Sequence, residues 1–468
     1  MLLSNPVYFV FLAGVFLLYW PLSRWRTASV AALLFASLFF YAKWDLQYLA
    51  LVPAAAFLDY LIGLGLGSWR NPALRRLLVT LSIVMNLGLL ASVKYVPFFL
   101  GAWSAAAGGK PPEWHWVFPL GLSFYCFQAM TYTIDLYRRD GKPVRSLLVH
   151  MASVTFFPTT LSGPITRVLA LAPQFEKRDK TLSAEDSGRA FWRIGLGLMK
   201  KFLIADYLAE NLVNRVFDTP GLYTGTETLI GVYAYAVQLY YDFSGYTDIA
   251  IGSALLLGIR LPENFNRPYL ALNISEFWRR WHISLSNWLR DYLYFSLPGL
   301  RSKWKWPTYF NLFITMLLGG LWHGPNWTFL VWGALHGLAL AVHHGFRAAR
   351  GNPPPGPWPA RFASRLLTAH FVIFAWVFFR ASSLDNAGQV LARIASLTVS
   401  FANVSAPVAV VMAIAIAAHY QPKRWAEWCA ALYVRAPFYA QAAALALLVL
   451  AIRYIAVTGA APFLYTQF

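Results

Sequence analysis

Eleven long apolar runs recur along this chain of 468 residues, and they limit what it can fold into. They cover residues 8–19, 30–41, 46–66, 78–100, 117–137, 194–212, 229–257, 330–342, 366–379, 408–418 and 442–455. A helix of about 20 apolar residues matches the hydrocarbon thickness of a bilayer. The pattern therefore predicts an all-α, polytopic integral membrane protein with about ten to twelve membrane-embedded helices. Composition agrees: 58% of residues are hydrophobic and only 13% charged, about half the ~25% charge of ordinary soluble domains. The first run has neither a basic leading segment nor a small-residue cleavage site, so it reads as a retained helix rather than a cleaved signal.

A formal net charge of +19 would suggest nucleic acid in a soluble protein. Here the basic residues cluster in short connections instead: Arg24 and Arg26, then Arg70, Arg75 and Arg76, then Arg138, Arg139, Lys142 and Arg145. The positive-inside rule makes these connections cytoplasmic. The alternate ones, 101–116 and 218–227, carry almost no basic residue, which puts the N-terminus outside. Lipid headgroups or a polyanionic cytosolic ligand can share this charge, and no nucleic-acid partner is expected. Cys126 and Cys429 stand far apart, which gives no metal spacing and no disulfide framework. Both read as packing residues, and no metal site is expected.

Three segments break the regular pattern. Residues 156–167, rich in Pro and Gly, are too short and irregular to cross as a helix, and such backbone survives at membrane depth only inside protein or beside a wet cavity. Residues 260–306 mix Arg260, Arg267, Arg279, Arg280, Arg290, Arg301, Lys303 and Lys305 with Trp, Tyr and Leu, the signature of amphipathic helices along the cytoplasmic interface. Residues 309–321, about 13 apolar residues, are followed by Trp322-His323-Gly324-Pro325 and a second apolar run from Trp327. Basic residues flank both ends of the pair, which predicts a re-entrant hairpin with His323 at its turn. The Pro-rich stretch 351–360 reads as a stiff connector. It separates a central body (117–346) from C-terminal helices (347–468), and with the N-terminal helices (1–116) these make up one membrane domain, 1–468.

Intramembrane titratable groups are functional candidates because burying them is expensive. His323, between Trp322 and a Gly-Pro turn, can be presented into a cavity, and histidine titrates closest to neutral pH. His282, beside Trp281, Arg279 and Arg280, reads equally well as an interfacial residue or a catalytic one. His336 could be packing, His343 and His344 close a helix near a basic end, and His115, His150, His370 and His419 receive no role. Tyr241-Asp242 and Asp248 place two carboxylates in an apolar run, six residues apart and on no common helix face; they could orient a histidine, pair with Arg or bind a cation. Asp59 and Asp135 read as interfacial Asp–Arg pairs. Arg167, next to irregular backbone, could clamp an anion through its fork of donors. Together these residues suggest a polar, histidine-bearing tunnel with a cationic mouth, lined by Trp322, Trp281, Asp242, Tyr241 and Arg167. A transporter would need such a path too, but no paired repeats with broken helices accompany it.

Six stretches in fixed order carry a resemblance: 119–128, 157–167, 241–248, Asn264-Phe-Asn-Arg-Pro-Tyr269, Phe277-Trp-Arg-Arg-Trp-His-Ile-Ser284 and Leu321-Trp-His-Gly324. They resemble the membrane-bound O-acyltransferase family (MBOAT), and within it the bacterial branch of alginate O-acetyltransferase membrane subunits. The resemblance implies an enzyme of the bacterial cytoplasmic membrane with no permanently bound cofactor. Such an enzyme takes an acetyl group from cytosolic acetyl-CoA and passes it through the membrane to a periplasmic serine-esterase-like partner of the SGNH type, which loads a polysaccharide. His323 matches the family's invariant histidine, as general base or transient acyl carrier; His282 matches its second polar position. Arg279, Arg280 and Arg290 become candidates for the donor's phosphates. Teichoic-acid D-alanylation and peptidoglycan O-acetylation are alternatives on the same fold.

Overall fold

The computed structural model describes residues 2–43, 48–109, 121–177, 181–299, 302, 305–351, 354 and 356–455. These form helices and turns, with no strand among the described residues. The expectations at Leu46, His115, 117–120, Arg301, Lys303 and part of the Pro-rich connector lie outside them. Five described helical stretches are long and apolar enough to cross a membrane: Leu49–Ser68, Pro72–Ser104, Trp327–Ala349, Trp358–Arg380 and Phe438–Ile455. Four further apolar helices are shorter.

The chain divides into two compact units, residues 1–194 with 247–262, and residues 195–246 with 263–468. In the first, helices begin where sequence chemistry favours it. Asn5 and Asn71 each accept a backbone N–H at a helix start that carries proline in its first turn. Asp59 is fully buried, and its expected arginine partner is replaced by Ser82, which donates to Oδ1 at 2.5 Å, and Asn86, which donates to Oδ2 at 2.9 Å. A buried carboxylate must be hydrogen-bonded, and short polar side chains on neighbouring helices do this without importing a second charge. Arg75 is also buried and spends its donors on the carbonyls of Leu66, Leu136 and Tyr137.

Residues 156–166 are irregular and buried in protein, as expected, around one short helix, Phe157–Thr160. A Cβ on Gly163 would lie 2.1 Å from the Pro158 carbonyl oxygen, so glycine is required there. Gln128 and Thr131 tie down the chain on either side of this stretch: Gln128 donates to the Ser153 carbonyl at 2.8 Å, and Thr131 accepts from the Val168 N–H at 3.2 Å. Cys126 packs inside this unit; in the second unit Cys429 is exposed, so the expected packing role fails there.

The second unit is built on α1 (Gly225–Leu256, of which residues 225–246 belong to it), α2 (Trp306–His323), α3 (Trp327–Ala349), α4 (Trp358–Arg380) and α5 (Ala406–Tyr420). α2 and α3 form the predicted hairpin. A Cβ on Gly320 would meet the Phe329 carbonyl oxygen at 2.3 Å, and one on Gly333 the Met316 carbonyl oxygen at 2.5 Å. The two backbones touch, and only glycine allows it. Two corrections apply. α2 has 18 residues, about 27 Å at 1.5 Å per residue, so the length argument for a turn held at mid-membrane no longer applies. The end of the connector is helical: Trp358-Pro359-Ala360 form the first turn of α4, with proline where a helix tolerates it.

The stretch 260–306 also departs from expectation. Its helices are short, Ile274–Trp278 and Ile283–Trp288, followed by a π-helical turn, Leu289–Leu293. Ile274, Phe277, Trp281, Leu285 and Leu289 are buried, so the segment is packed into the protein rather than laid along its surface.

Candidate active site

His323 is the last residue of α2, and the turn after it is tied down. The Asn326 side chain accepts the Thr328 N–H at 3.1 Å, capping α3, and donates to the Ser382 carbonyl at 3.1 Å, just past α4. A Cβ on Gly324 would sit 2.4 Å from the Phe329 ring, so the chain turns hard against an aromatic face. The His323 ring meets Trp322, Trp332 and Phe379 edge-on at centroid distances of 5.1, 5.2 and 5.0 Å. That aromatic box fixes the imidazole and excludes bulk water.

His282 reaches the same place from another element. It holds a left-handed backbone, φ +41°, uncommon for a residue with a Cβ, and it has no exposed surface. Asn264 holds the turn in place. Its carbonyl accepts the Ile283 N–H at 2.8 Å, and its side-chain oxygen accepts the Ser284 N–H at 3.2 Å. The His282 ring packs edge-on to Phe243 of α1 at 4.6 Å and lies 6.3 Å from Trp322. Trp322 thus touches both histidines. The interfacial reading of His282 is excluded by its burial, and the structure brings together His282, Trp322 and His323.

Trp281 belongs to an aromatic cluster that reaches His323 through Trp376 and Trp332. It lies 4.9 Å from Trp376 and stacks on Phe277 at 5.7 Å, while Trp376 stacks on Trp332 at 5.7 Å. His336, one helical turn beyond Trp332, is fully buried between Trp278 and Trp332, at 5.1 and 4.9 Å, with neither ring nitrogen hydrogen-bonded among the described residues. Sequence reasoning left its role open, with packing as one reading; its spacing from Trp332 places the two on one helix face.

The remaining candidates separate. Asp242 pairs with Lys201 at 2.7 Å, and Lys201 also pairs with Asp206 at 2.8 Å, all three buried. Lys201 and Asp206 were missed, although a Lys–Asp pair inside the apolar run 194–212 was the sign to read. They sit on a π-helical stretch, Met199–Asp206, a local geometry frequent at functional sites. Asp248 belongs to the first unit and pairs there with Arg193. Tyr241 donates its hydroxyl to the Ala415 carbonyl at 2.6 Å, a tether between α1 and α5. Arg167 belongs to the first unit, exposed, just before the helix Val168–Glu176.

Of the three arginines proposed for phosphates, Arg280 is committed elsewhere. Nε and Nη2 donate to Glu276 Oε1 at 3.0 and 2.7 Å, and Nη1 donates to the Asn266 carbonyl at 3.1 Å. Partial burial opposes ionisation of Glu276, but the Leu272 N–H and Arg280 outweigh it and hold the carboxyl below its ordinary range. Arg279 and Arg290 are exposed, Arg290 with Nε on Asp291 at 2.8 Å. Among the described residues no group of three or more His, Cys, Asp or Glu could hold a metal ion.

Comparison with known proteins identifies the family. Residues 144–384 match the family model of membrane-bound O-acyltransferases, a span that includes both histidines. The chain is 42% identical over 401 residues to a probable alginate O-acetylase, AlgI, of Azotobacter vinelandii, covering 84% of this chain and 77% of that protein. It is 35% identical over 421 residues to a peptidoglycan O-acetyltransferase of Helicobacter pylori, covering 84% and 79%. To a teichoic acid D-alanyltransferase of Bacillus subtilis it is 30% identical over 300 residues, covering 61% and 75%. An aromatic box around a helix-terminal histidine, a second histidine held against it, and these matches converge on one assignment: the chain belongs to the membrane-bound O-acyltransferase family and is a multi-pass O-acyltransferase.

Proposed function

We propose that this enzyme moves an acetyl group from cytosolic acetyl-CoA across a bacterial cytoplasmic membrane for O-acetylation of an alginate-like polysaccharide. The reading of the chemistry is supported by the packing of His282 and His323 near one indole, with ring centroids 6.3 and 5.1 Å from that of Trp322. The acceptor class is supported by the higher identity to the alginate O-acetylase than to the D-alanyltransferase, 42% against 30%.

His323 takes the proton of the incoming hydroxyl as its oxygen attacks the thioester carbonyl carbon. The C–S bond then breaks, and the departing thiolate receives that proton from the imidazolium. General-base help of this kind contributes typically about 10²–10⁴ in rate. His282 donates a hydrogen bond to the carbonyl oxygen as negative charge develops on it. The exposed Arg279 and Arg290 meet the donor's phosphates, while Trp281 and Trp322 keep the reacting centre dry. The first acceptor is a hydroxyl of a periplasmic esterase-like partner, which passes the acetyl group to the polymer.

Expression in an alginate-producing strain that lacks its own membrane O-acetylase tests this reading. Acetyl esters should return to the secreted polymer with the wild-type chain and be absent with His323→Ala at equal membrane abundance. Ester-free polymer with the wild-type chain would overturn the assignment of the acceptor.

A further inference from the structure

α1, α4 and α5 line a partly open cavity of about 190 Å³ within the second unit. Its wall follows helical spacing: Tyr233, Val237 and Tyr240 on α1, Ala369 and Ile373 on α4, and His419 on α5. Several polar groups in the lining are already used. The hydroxyls of Tyr241 and Tyr269 donate to the carbonyls of Ala415 and Ala236 at 2.6 and 2.7 Å, and His370 Nδ1 lies 2.7 Å from the Leu366 carbonyl oxygen. His419 differs: it is 5% exposed, with neither ring nitrogen hydrogen-bonded among the described residues. A buried imidazole facing an apolar cavity without a partner calls for a ligand that supplies one.

Charge and surroundings narrow that ligand. Arg267 donates through Nε to the His419 carbonyl at 3.1 Å and through Nη2 to the Gln421 carbonyl. Arg365, one residue before the cavity-lining Leu366, donates through Nε to the Leu270 carbonyl at 3.2 Å. A guanidinium has five donors, so both retain capacity for an anion beside the cavity, and no acidic residue lines it. The adjoining surface is exposed and apolar, with Leu366, Leu367, Phe374 and Ile416 outward on helices of a membrane protein. An empty apolar cavity of about 150 Å³ already accepts a benzene-sized guest, so this one has room for part of an alkyl chain.

We propose that this cavity binds an anionic membrane phospholipid: an acyl chain lies between α1 and α4, an ester carbonyl accepts the His419 N–H, and the phosphate rests on Arg267 and Arg365. The chain enters sideways from the bilayer, so no polar group need be desolvated on the way. This site is separate from the acyl-transfer reading, and its test does not depend on turnover.

The test uses the full chain in liposomes containing phosphatidylglycerol with a diazirine on its acyl chain, with labelled peptides mapped after illumination. Label should concentrate on residues 366–373 and 415–420, about tenfold above the lipid-facing helix Phe438–Ile455. Ala369→Phe, which fills the cavity, should abolish that excess while leaving label on Phe438–Ile455 unchanged; Ile373→Trp is the second variant if the first does not fold. Arg267→Gln with Arg365→Gln should lower the excess for phosphatidylglycerol to the level given by a phosphatidylcholine probe. Equal labelling of the cavity and Phe438–Ile455, or an excess that survives both filling variants, would overturn the proposal. Equal excess from both headgroups would overturn it as a site for anionic lipid.

Discussion

His282 and His323 are both buried beside Trp322, but their backbones differ. His323 ends a helix, whereas His282 is held in a left-handed turn that costs about 1–3 kcal/mol for a residue with a Cβ. Asn264 supports that strain with two hydrogen bonds, and strain so supported favours one fixed ring position. His282→Ala should therefore lower kcat/KM by about 10²–10³, the usual loss for one oxyanion donor, with an unchanged unfolding midpoint. Full activity in that variant would remove His282 from the chemistry. The arginines divide by partner. Arg290→Gln should raise KM for acetyl-CoA and leave kcat in place. Arg280→Gln should instead lower the unfolding midpoint, because Glu276 would lose both its bonds from Arg280. At this scale the sequence singled out His282, Trp322 and His323, which lie together in the structure, but not Lys201 or Asp206. Which cation meets Asp242 depends on helix packing, and a carboxylate in an apolar run does not name its partner.

Among the elements, the α2–α3 hairpin is the one whose register the site cannot do without. Gly320 and Gly333 let carbonyl oxygens approach where backbone atoms cannot give way. Gly333→Leu should cost at least the ~1–3 kcal/mol typical of overpacking, seen as a lower unfolding temperature together with lost turnover. Wild-type stability would show that the hairpin is looser than described. The first turn of α1 carries a second testable element. Burial alone would raise the Glu227 carboxyl, but hydrogen bonds from the Thr224 and Asn403 backbone N–H groups and side chains bring it to about 2, from an ordinary 4.5. A depressed carboxyl stabilises the fold fully above its unfolded value and loses that contribution as pH falls through the folded one. Unfolding temperature should thus decline more steeply between pH 4.5 and pH 2 in wild type than in Glu227→Gln; parallel curves would contradict this. The hairpin was legible because basic residues bracket two apolar runs around a Gly-Pro turn. The stretch 260–306 was misread because its mixed composition fits an interfacial helix. Helices of five and six residues are too short to lie there alone and bury their apolar faces inward instead.

For the molecule as a whole, low charge and long apolar runs sufficed for an all-α membrane protein, because lipid leaves the backbone few alternatives. The division into two compact units could not be read, since α1 runs unbroken from one into the other and no composition shift marks the boundary. The order of six short motifs pointed to the family, and identity over most of the chain establishes it. The central claim is that His323, in its aromatic box, drives release of the acyl group from a thioester. Purified wild-type protein and His323→Ala, each in liposomes with radiolabelled acetyl-CoA and a small hydroxyl acceptor, test it most directly. Thiol release and acetyl transfer by wild type, lost by at least about 10² in the variant at equal folded amount, is the predicted result. Equal release by both proteins would contradict the account.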